Sequence, residues 1–281
     1  MAKQITVPEL IAIADKISPL PNSARKALEI LRHPEPDMNK LAEVISTDQV
    51  MAAAVLRWVN SAAFSTANKI SSVRMAVVYL GLTSVKSIIL MQGLSDSLTG
   101  SVPNYGLLKG ELWHRSMGMA VGCRLLTRHL GIRLSDEAYN AGLLCDMGLL
   151  PFDAYFARNG IKANRLPRIQ DLEIEVSGVT HKQLGAEIAR HWQFPRSIQD
   201  SIFFHDNPSQ CPDEAHRILA AATHVANAML VQQGIGKNID SGARDPLAFQ
   251  LMGINEAGLP GLYERVKPFL EESEILIGLS I

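Results

Sequence analysis

Residues 41–60 read LAEVISTDQVMAAAVLRWVN. Leu41, Val44, Ile45, Val55, Leu56 and Val59 recur at steps of three and four, the spacing that lays an apolar stripe along one face of a helix. Asp37 and Asn39 stand before the first helix and Thr47 and Asp48 before the second, as short polar side chains that can accept from free amides. Further on, Ser71 or Ser72 can cap an apolar run over 73–80. Gly81 stops that run, and Thr83 opens another that continues through Leu94. Alternating runs of β-branched residues are almost absent, so the expected fold class is all-α and multi-helical.

The composition agrees with a packed protein. Of 281 residues, 47% are hydrophobic and 20% charged, enough for one large domain or two closely packed ones. Lys plus Arg number 27 against 28 for Asp plus Glu, a net charge of −1 that lacks the cationic excess of a general nucleic-acid binder. No stretch approaches ~18 uninterrupted apolar residues, so no membrane partner is expected. The opening MAKQITVPELIAIADKI does not read as a signal peptide. Cys123, Cys145 and Cys211 are odd in number and lack metal-site spacing, which fits reduced thiols and a cytoplasmic location.

Punctuation divides the chain into two lobes. The segment GSVPNYG at 100–106 is the best internal joint, giving an N-terminal helical lobe at 1–104 and a second helical lobe at 105–281. The second holds the longer helices, expected over 111–130, 136–158 and 182–192. Residues 161–170 read as a connector and 234–246 as an exposed loop. Residues 262–281 are apolar enough to dock on the body of the protein.

Within the second lobe, AYNAGLLCDMGLL at 138–150 reads as an apolar helix with one carboxylate, Asp146, among Leu143, Leu144, Met147, Leu149 and Leu150. Such a carboxylate is costly to bury unless a partner or a cation meets it.

In order, these segments resemble the HDOD family, the HD-related output domains of bacterial signalling proteins. The most specific piece is VLRWVNSAAF at 55–64, followed by ISSVRMAVVYLG ending at Gly81. ELWHRSMGMA, AYNAGLLCDMGLL, HKQLGAEIARHWQFP and IFFHDNP continue the match, which covers roughly residues 20–230. The resemblance implies a two-lobe architecture with an HD-like helical core in the second lobe. Relatives in the HD superfamily are metal-dependent phosphohydrolases, whose His and Asp ligands hold cations that activate water and neutralise phosphoryl oxygens.

Matched residue by residue, the ligand set implied by the resemblance is incomplete. Arg115 stands where the first motif has His, and His114, one step earlier, is turned by about 100° on a helix. Cys145 replaces the His of the His-Asp pair and leaves Asp146. His181 matches a family histidine, His205 is followed by Asp206 in place of a second His, and Asn227 replaces a late Asp. The residual metal candidates are therefore Asp146, His181, His205 and Asp206. The degenerate positions are Arg115, Cys145 and Asn227. No cofactor is expected, or at most one weakly bound divalent metal. Arg115 is positioned to pair with Asp146 instead. Cys145, among leucines and an acid, reads as an apolar filler rather than a nucleophile.

Arg57, Asn60 and Ser61 are candidates for contact with a partner or ligand. The competing reading makes Asn60 and Ser61 a helix terminus that bonds free backbone groups. Residues 41–60 also have a helix–turn–helix look, but the candidate recognition helix carries one basic residue, Arg57, too few for phosphate and base contacts. The expected function is a non-catalytic signalling output or scaffold module with a protein partner. The alternative is a metal-dependent phosphohydrolase acting on a nucleotide or other phosphoester, and nucleic acid is not an expected partner.

Overall fold

The computed structural model describes residues 4–17, 21–61, 64, 68–131, 134–162, 168–239 and 244–276. Among these the fold is all-α: regular structure is helical, and the one β-bridge, Val102 to Leu107, closes a tight loop.

The first four helices are α1 (Val7–Ile17), α2 (Asn22–Leu31), α3 (Met38–Ser46) and α4 (Gln49–Asn60). Asp37 caps α3 by accepting from the Asn39 and Lys40 amides at 2.9 and 3.1 Å. Asp48 caps α4 from Val50 and Met51 at 2.9 and 3.0 Å, and also accepts from Ser23 Oγ at 2.5 Å, which ties α2 to the start of α4. Each such cap satisfies amides that the first helical turn leaves without intrahelical acceptors.

Next comes α5 (Val73–Thr99), capped by Ser72 and broken at Gly81, where φ is +75° and ψ 162°. A residue with a Cβ adopts that conformation only with strain, so the glycine is what permits the break. By length and composition α5 would suit a membrane crossing, although scattered polar residues interrupt its apolar run. The Gly81 break and the burial of 56% of its most apolar window are the marks of a core helix.

The remaining helices are α6 (Glu111–His129), α7 (Ser135–Leu144), α8 (Leu149–Arg158), α9 (Ile169–Ser177), α10 (His181–His191), α11 (Arg196–Phe204), α12 (Glu214–Gln232), α13 (Pro246–Leu251) and α14 (Leu259–Leu276). The centre is α6, packed against α7, α12, α14 and the second half of α5. Residues 115–124 of α6 are all buried, so the helix is surrounded rather than amphipathic.

Three sequence expectations change. The helix expected over 136–158 is two helices, α7 and α8, joined by a turn at 145–148 that contains Asp146. The first helix, assigned by position to the N-terminal lobe, packs on α8 and α10 of the second. The Ile5 amide bonds to the Val176 carbonyl at 2.9 Å, and Asp15 accepts from Trp192 Nε1 at 3.0 Å. Its apolar stripe, with Leu10 and Ala14 buried, needs an apolar partner, and those helices supply one. Finally, the segment after α12 is not simply exposed, because Gly236 and Ile239 are buried.

The two lobes share one continuous core. Phe64, from the VLRWVNSAAF segment, meets Tyr139 of α7 at 5.3 Å between ring centroids, and the Arg124 guanidinium lies 4.3 Å from the Phe64 ring centre. On another edge, Lys86 of α5 donates to the Gln193 carbonyl at 2.9 Å and lies over the Phe194 ring.

Candidate functional site

Arg115 is wholly buried on α6 and points at the 145–148 turn. Its Nε donates to Asp146 Oδ2 at 2.8 Å and its Nη2 to Oδ1 at 3.3 Å, a planar fork on a carboxylate. The two side chains are 0% and 1% exposed. The sequence therefore buries a carboxylate by giving it a permanent cation from its own chain.

Two glycines make the arrangement possible. A Cβ on Gly148 would lie 2.0 Å from the His181 carbonyl oxygen, so only glycine lets this turn press on the start of α10. On the other side, a Cβ on Gly236 would lie 2.5 Å from Arg115 Nη1, and its φ of +74° is in the left-handed region. Gly236 thus lays bare backbone against the guanidinium.

His181 is the first residue of α10, after a capping box made by Thr180 and Gln183. It is fully buried, with Nδ1 at 2.9 and 3.0 Å from the Glu173 oxygens and its amide donating to Glu173 Oε2 at 2.7 Å. Tyr105 Oη donates to Glu173 Oε1 at 2.6 Å. Burial alone would push the Glu173 carboxyl up, but the charge of His181 and these hydrogen bonds outweigh it and hold the group below the usual range. For the Tyr105 hydroxyl, burial and then the Glu173 charge act together and push it well up.

His205 ends α11. Its Nδ1 donates to the Ile202 carbonyl at 2.8 Å, with Cys145 Sγ 3.4 Å from the same nitrogen. The His205 carbonyl accepts from His224 Nδ1 at 2.7 Å, and His224 Nε2 accepts from the Asp245 amide at 3.0 Å. Donating at one nitrogen and accepting at the other defines a neutral His224, and burial lowers its pKa in the same sense. Asp206 forms an ion pair with Lys182 and stands 3.6 Å from His205 Nε2.

The residual candidates each have a close partner of their own, and of the four only His205 and Asp206 are placed near each other by the contacts among the described residues. Asp146 meets Arg115, His181 meets Glu173, His205 meets backbone and Cys145, and Asp206 meets Lys182. Among the described residues, no group of three or more His, Cys, Asp and Glu side chains is placed to hold a metal ion. As arranged, these groups do not fit a divalent cation, because a guanidinium already occupies the central carboxylate. Asn227 is buried on α12, and its Oδ1 has no hydrogen-bond partner among the described residues. His114 is half-buried, one position before Arg115.

In the first lobe, Asn60 Nδ2 donates to the Leu56 and Ile70 carbonyls and its Oδ1 accepts from the Ile70 amide, all at 2.7 Å. Asn60 thus closes α4 and clamps the returning chain. Ser61 Oγ donates to the Trp58 carbonyl at 2.8 Å, while Arg57 is exposed. Sequence reading missed Glu173, Tyr105 and Lys182 as partners. For Glu173 a signal existed: positions 169, 172, 173 and 176 form one buried stripe of α9, with an acid inside it.

Residues 17–208 match the HDOD domain family. The chain belongs to that family. An uncharacterized protein of Treponema pallidum (strain Nichols) is 26% identical over an alignment of 212 residues that covers 72% of this chain and 40% of the relative. The chain therefore spans well under two thirds of that relative's length. An HDOD domain protein of unknown function from Geobacter sulfurreducens superposes with a TM-score of 0.55 at 21% identity, covering 96% of each chain. A Shewanella amazonensis SB2B protein, named provisionally as a phosphohydrolase, gives 0.62 at 22% identity over 93% of this chain and 96% of that one. A Marinobacter aquaeolei VT8 protein, named provisionally for signal transduction, gives 0.61 at 19% over 94% of this chain and 60% of that one. At these identities the structural likeness is one of fold. The HDOD match ends before α12, so the helix carrying His224 and Asn227 lies outside it.

Proposed function

We propose that this HDOD domain is a non-catalytic binding module of signal transduction, in which the Arg115–Asp146 pair takes the place of the HD metal centre. The observation that carries the reading is the buried two-bond fork between those side chains. Metal-assisted hydrolysis needs a cation with an open position for water and phosphoryl oxygen. A fixed guanidinium supplies positive charge but offers neither a coordination site nor an acidified water. The partner class this reading expects is a signalling protein, met through the first lobe or the groove between lobes.

The test is the metal content of the protein purified without chelator, by elemental mass spectrometry, for wild type and Asp146→Ala together. Less than about a tenth of an equivalent of Mn, Fe, Ni or Zn in both, even after metal is added back, is the expected result. Near-stoichiometric metal in wild type that disappears in Asp146→Ala would overturn the reading and favour the one-ion phosphohydrolase.

A further inference from the structure

On the first half of α5, before the break at Gly81, the buried side is Ala76, Val77 and Leu80 and the outward side is Arg74, Met75, Val78 and Tyr79. Met75, Val78 and Tyr79 stand at i, i+3 and i+4, so they form one continuous strip on the helix. They are 61%, 65% and 49% exposed. Tyr79 is held in place there, because its Oη donates to the Phe64 carbonyl at 3.1 Å. Single exposed apolar residues are ordinary. Three adjoining ones expose on the order of 300 Å² of largely apolar side chain, the size at which a patch on a monomer is often functional.

The charge around the strip has one prevailing sign. Residues 49–95 contain Arg57, Lys69, Arg74 and Lys86 and neither Asp nor Glu. Lys69 and Arg74, just before the strip in the chain, are exposed and form no ion pair among the described residues. At the Tyr79 end, the Arg124 guanidinium lies 4.3 Å from the Phe64 ring centre, and exposed Arg128 follows one turn later on α6. Three acids come near. Asp136 neutralises Arg124 at 2.9 Å, Glu137 accepts from Ser197, and Glu43 shares a surface groove with Arg74. Lys69, Arg74 and Arg128 therefore leave both ends of the apolar strip positive.

We propose that this strip docks an amphipathic helix of a partner protein, its apolar side on Met75, Val78 and Tyr79 and its acidic residues toward Lys69, Arg74 and Arg128. The proposal deepens the binding-module reading and rests on it for the class of partner. A second copy of the chain fits less well, because a two-fold pairing sets the same cations on both sides. The strip is also well short of the roughly 800 Å² per side of a standard stable interface, which suits a transient partner. Nucleic-acid phosphates would meet an apolar centre instead of donors. Three side chains are too little apolar surface to anchor at a membrane interface.

The probe is a fluorescein-labelled synthetic helix of about 18 residues, with leucines at i, i+3, i+4 and i+7 and glutamates on the flanks; its counterpart carries lysines for the glutamates. Added to the full chain, the glutamate peptide should give a saturable rise in anisotropy below about 1 mM, and the lysine peptide should not. Val78→Glu, or Met75→Glu as a second variant, should weaken binding at least about 10-fold, and Arg74→Glu about 3-fold. Leu108→Glu, at a separate side chain that is 70% exposed, should change nothing. No saturable binding, equal binding of both peptides, or equal loss in Leu108→Glu would overturn the proposal. So would a dimer by light scattering, or binding to phosphatidylcholine–phosphatidylglycerol vesicles, that Val78→Glu abolishes, since either assigns the strip to another occupant. The metal measurement above is read separately: bound metal would overturn the non-catalytic reading and leave the peptide result standing, and failure of the peptide leaves the metal result standing.

Discussion

Replacing Asp146 by Asn keeps the size of the side chain and removes its charge, leaving the Arg115 guanidinium without its carboxylate. In wild type that group has two bonds to Asp146, at 2.8 and 3.3 Å, and neither side chain has solvent contact beyond 1%. Removing one partner of such a buried pair costs roughly 3–5 kcal/mol, because the remaining charge stays desolvated. At roughly 2–4 °C per kcal/mol for chains near this size, Tm should fall by about 10 °C. The double variant Arg115→Met with Asp146→Leu removes both charges and keeps apolar bulk. It should lie within about 2 kcal/mol of wild type, or above it, since well-packed apolar residues often replace a buried pair without loss. Urea unfolding of wild type, Arg115→Met, Asp146→Leu and the double variant gives the coupling energy directly. Asp146→Asn should be the harsher single change, because a stranded carboxylate can take up a proton and a guanidinium cannot lose one. A cost below about 1 kcal/mol for Asp146→Asn, or a double variant that merely sums Arg115→Met and Asp146→Leu, would refute the reasoning.

Neighbouring groups give further expected outcomes. Gly236→Ala should cost about 2 kcal/mol, from its φ of +74° and from a Cβ placed 2.5 Å from Arg115 Nη1. The second part of that cost should shrink in an Arg115→Met background, read by the same unfolding cycle. Asn60→Ala removes three hydrogen bonds at 2.7 Å and should lower stability by about 2 kcal/mol, with hydrogen exchange rising first at the Ile70 amide. Burial, and next the Arg32 charge, pushes Lys86 down to about 8 from the usual 10.5. Between those values the unfolded chain holds a proton that the folded one has lost, so stability should rise with pH, by roughly 3 kcal/mol at most. Urea midpoints from pH 7 to 10.5 should show the rise in wild type and flatten it in Lys86→Met.

The helical class was legible because the first lobe is amphipathic and its boundaries are chemical. Asp37, Asp48 and Ser72 cap where short polar residues precede apolar stripes, and Gly81 breaks α5 at the point its neighbours indicate. The 145–148 turn was not legible. Its residues are as apolar as the helices on either side, and the turn is set by the close approach of Gly148 to α10, a tertiary contact with no local pattern. The pairing of Arg115 with Asp146 could be framed from the family register, since a cation at a ligand position must find an anion. The Glu173–His181 bond could not: the α9 stripe marks Glu173 as a buried acid, but eight residues and a helix boundary separate it from His181 and no local pattern names its partner. The place of α1 was hidden for another reason: its stripe states that it must dock, and only the shape of α8 and α10 states where.

The buried charges of the second lobe hold helices together at points where apolar packing alone would leave their register free. Arg115–Asp146 joins α6 to the α7–α8 turn, Glu173–His181 joins α9 to α10 with Tyr105 added from the inter-lobe segment, and Lys182–Asp206 joins α10 to the end of α11. Directional bonds between charged groups have one good geometry, whereas leucines sliding past leucines have several of similar energy. A multidentate metal centre fixes helices in a related way, by demanding that several side chains reach one point. In this chain the demand is met pairwise, without a shared centre among the described residues. That difference has a functional consequence. In the proposed binding module the register of this lobe rests on ion pairs rather than on bound metal, so its response to a signal is expected to enter elsewhere. In that reading the cavity of about 410 Å³ where α4 and α5 of the first lobe face α6 and α14 is a place for such an input, since it borders both lobes and lies on the face of α6 away from Arg115.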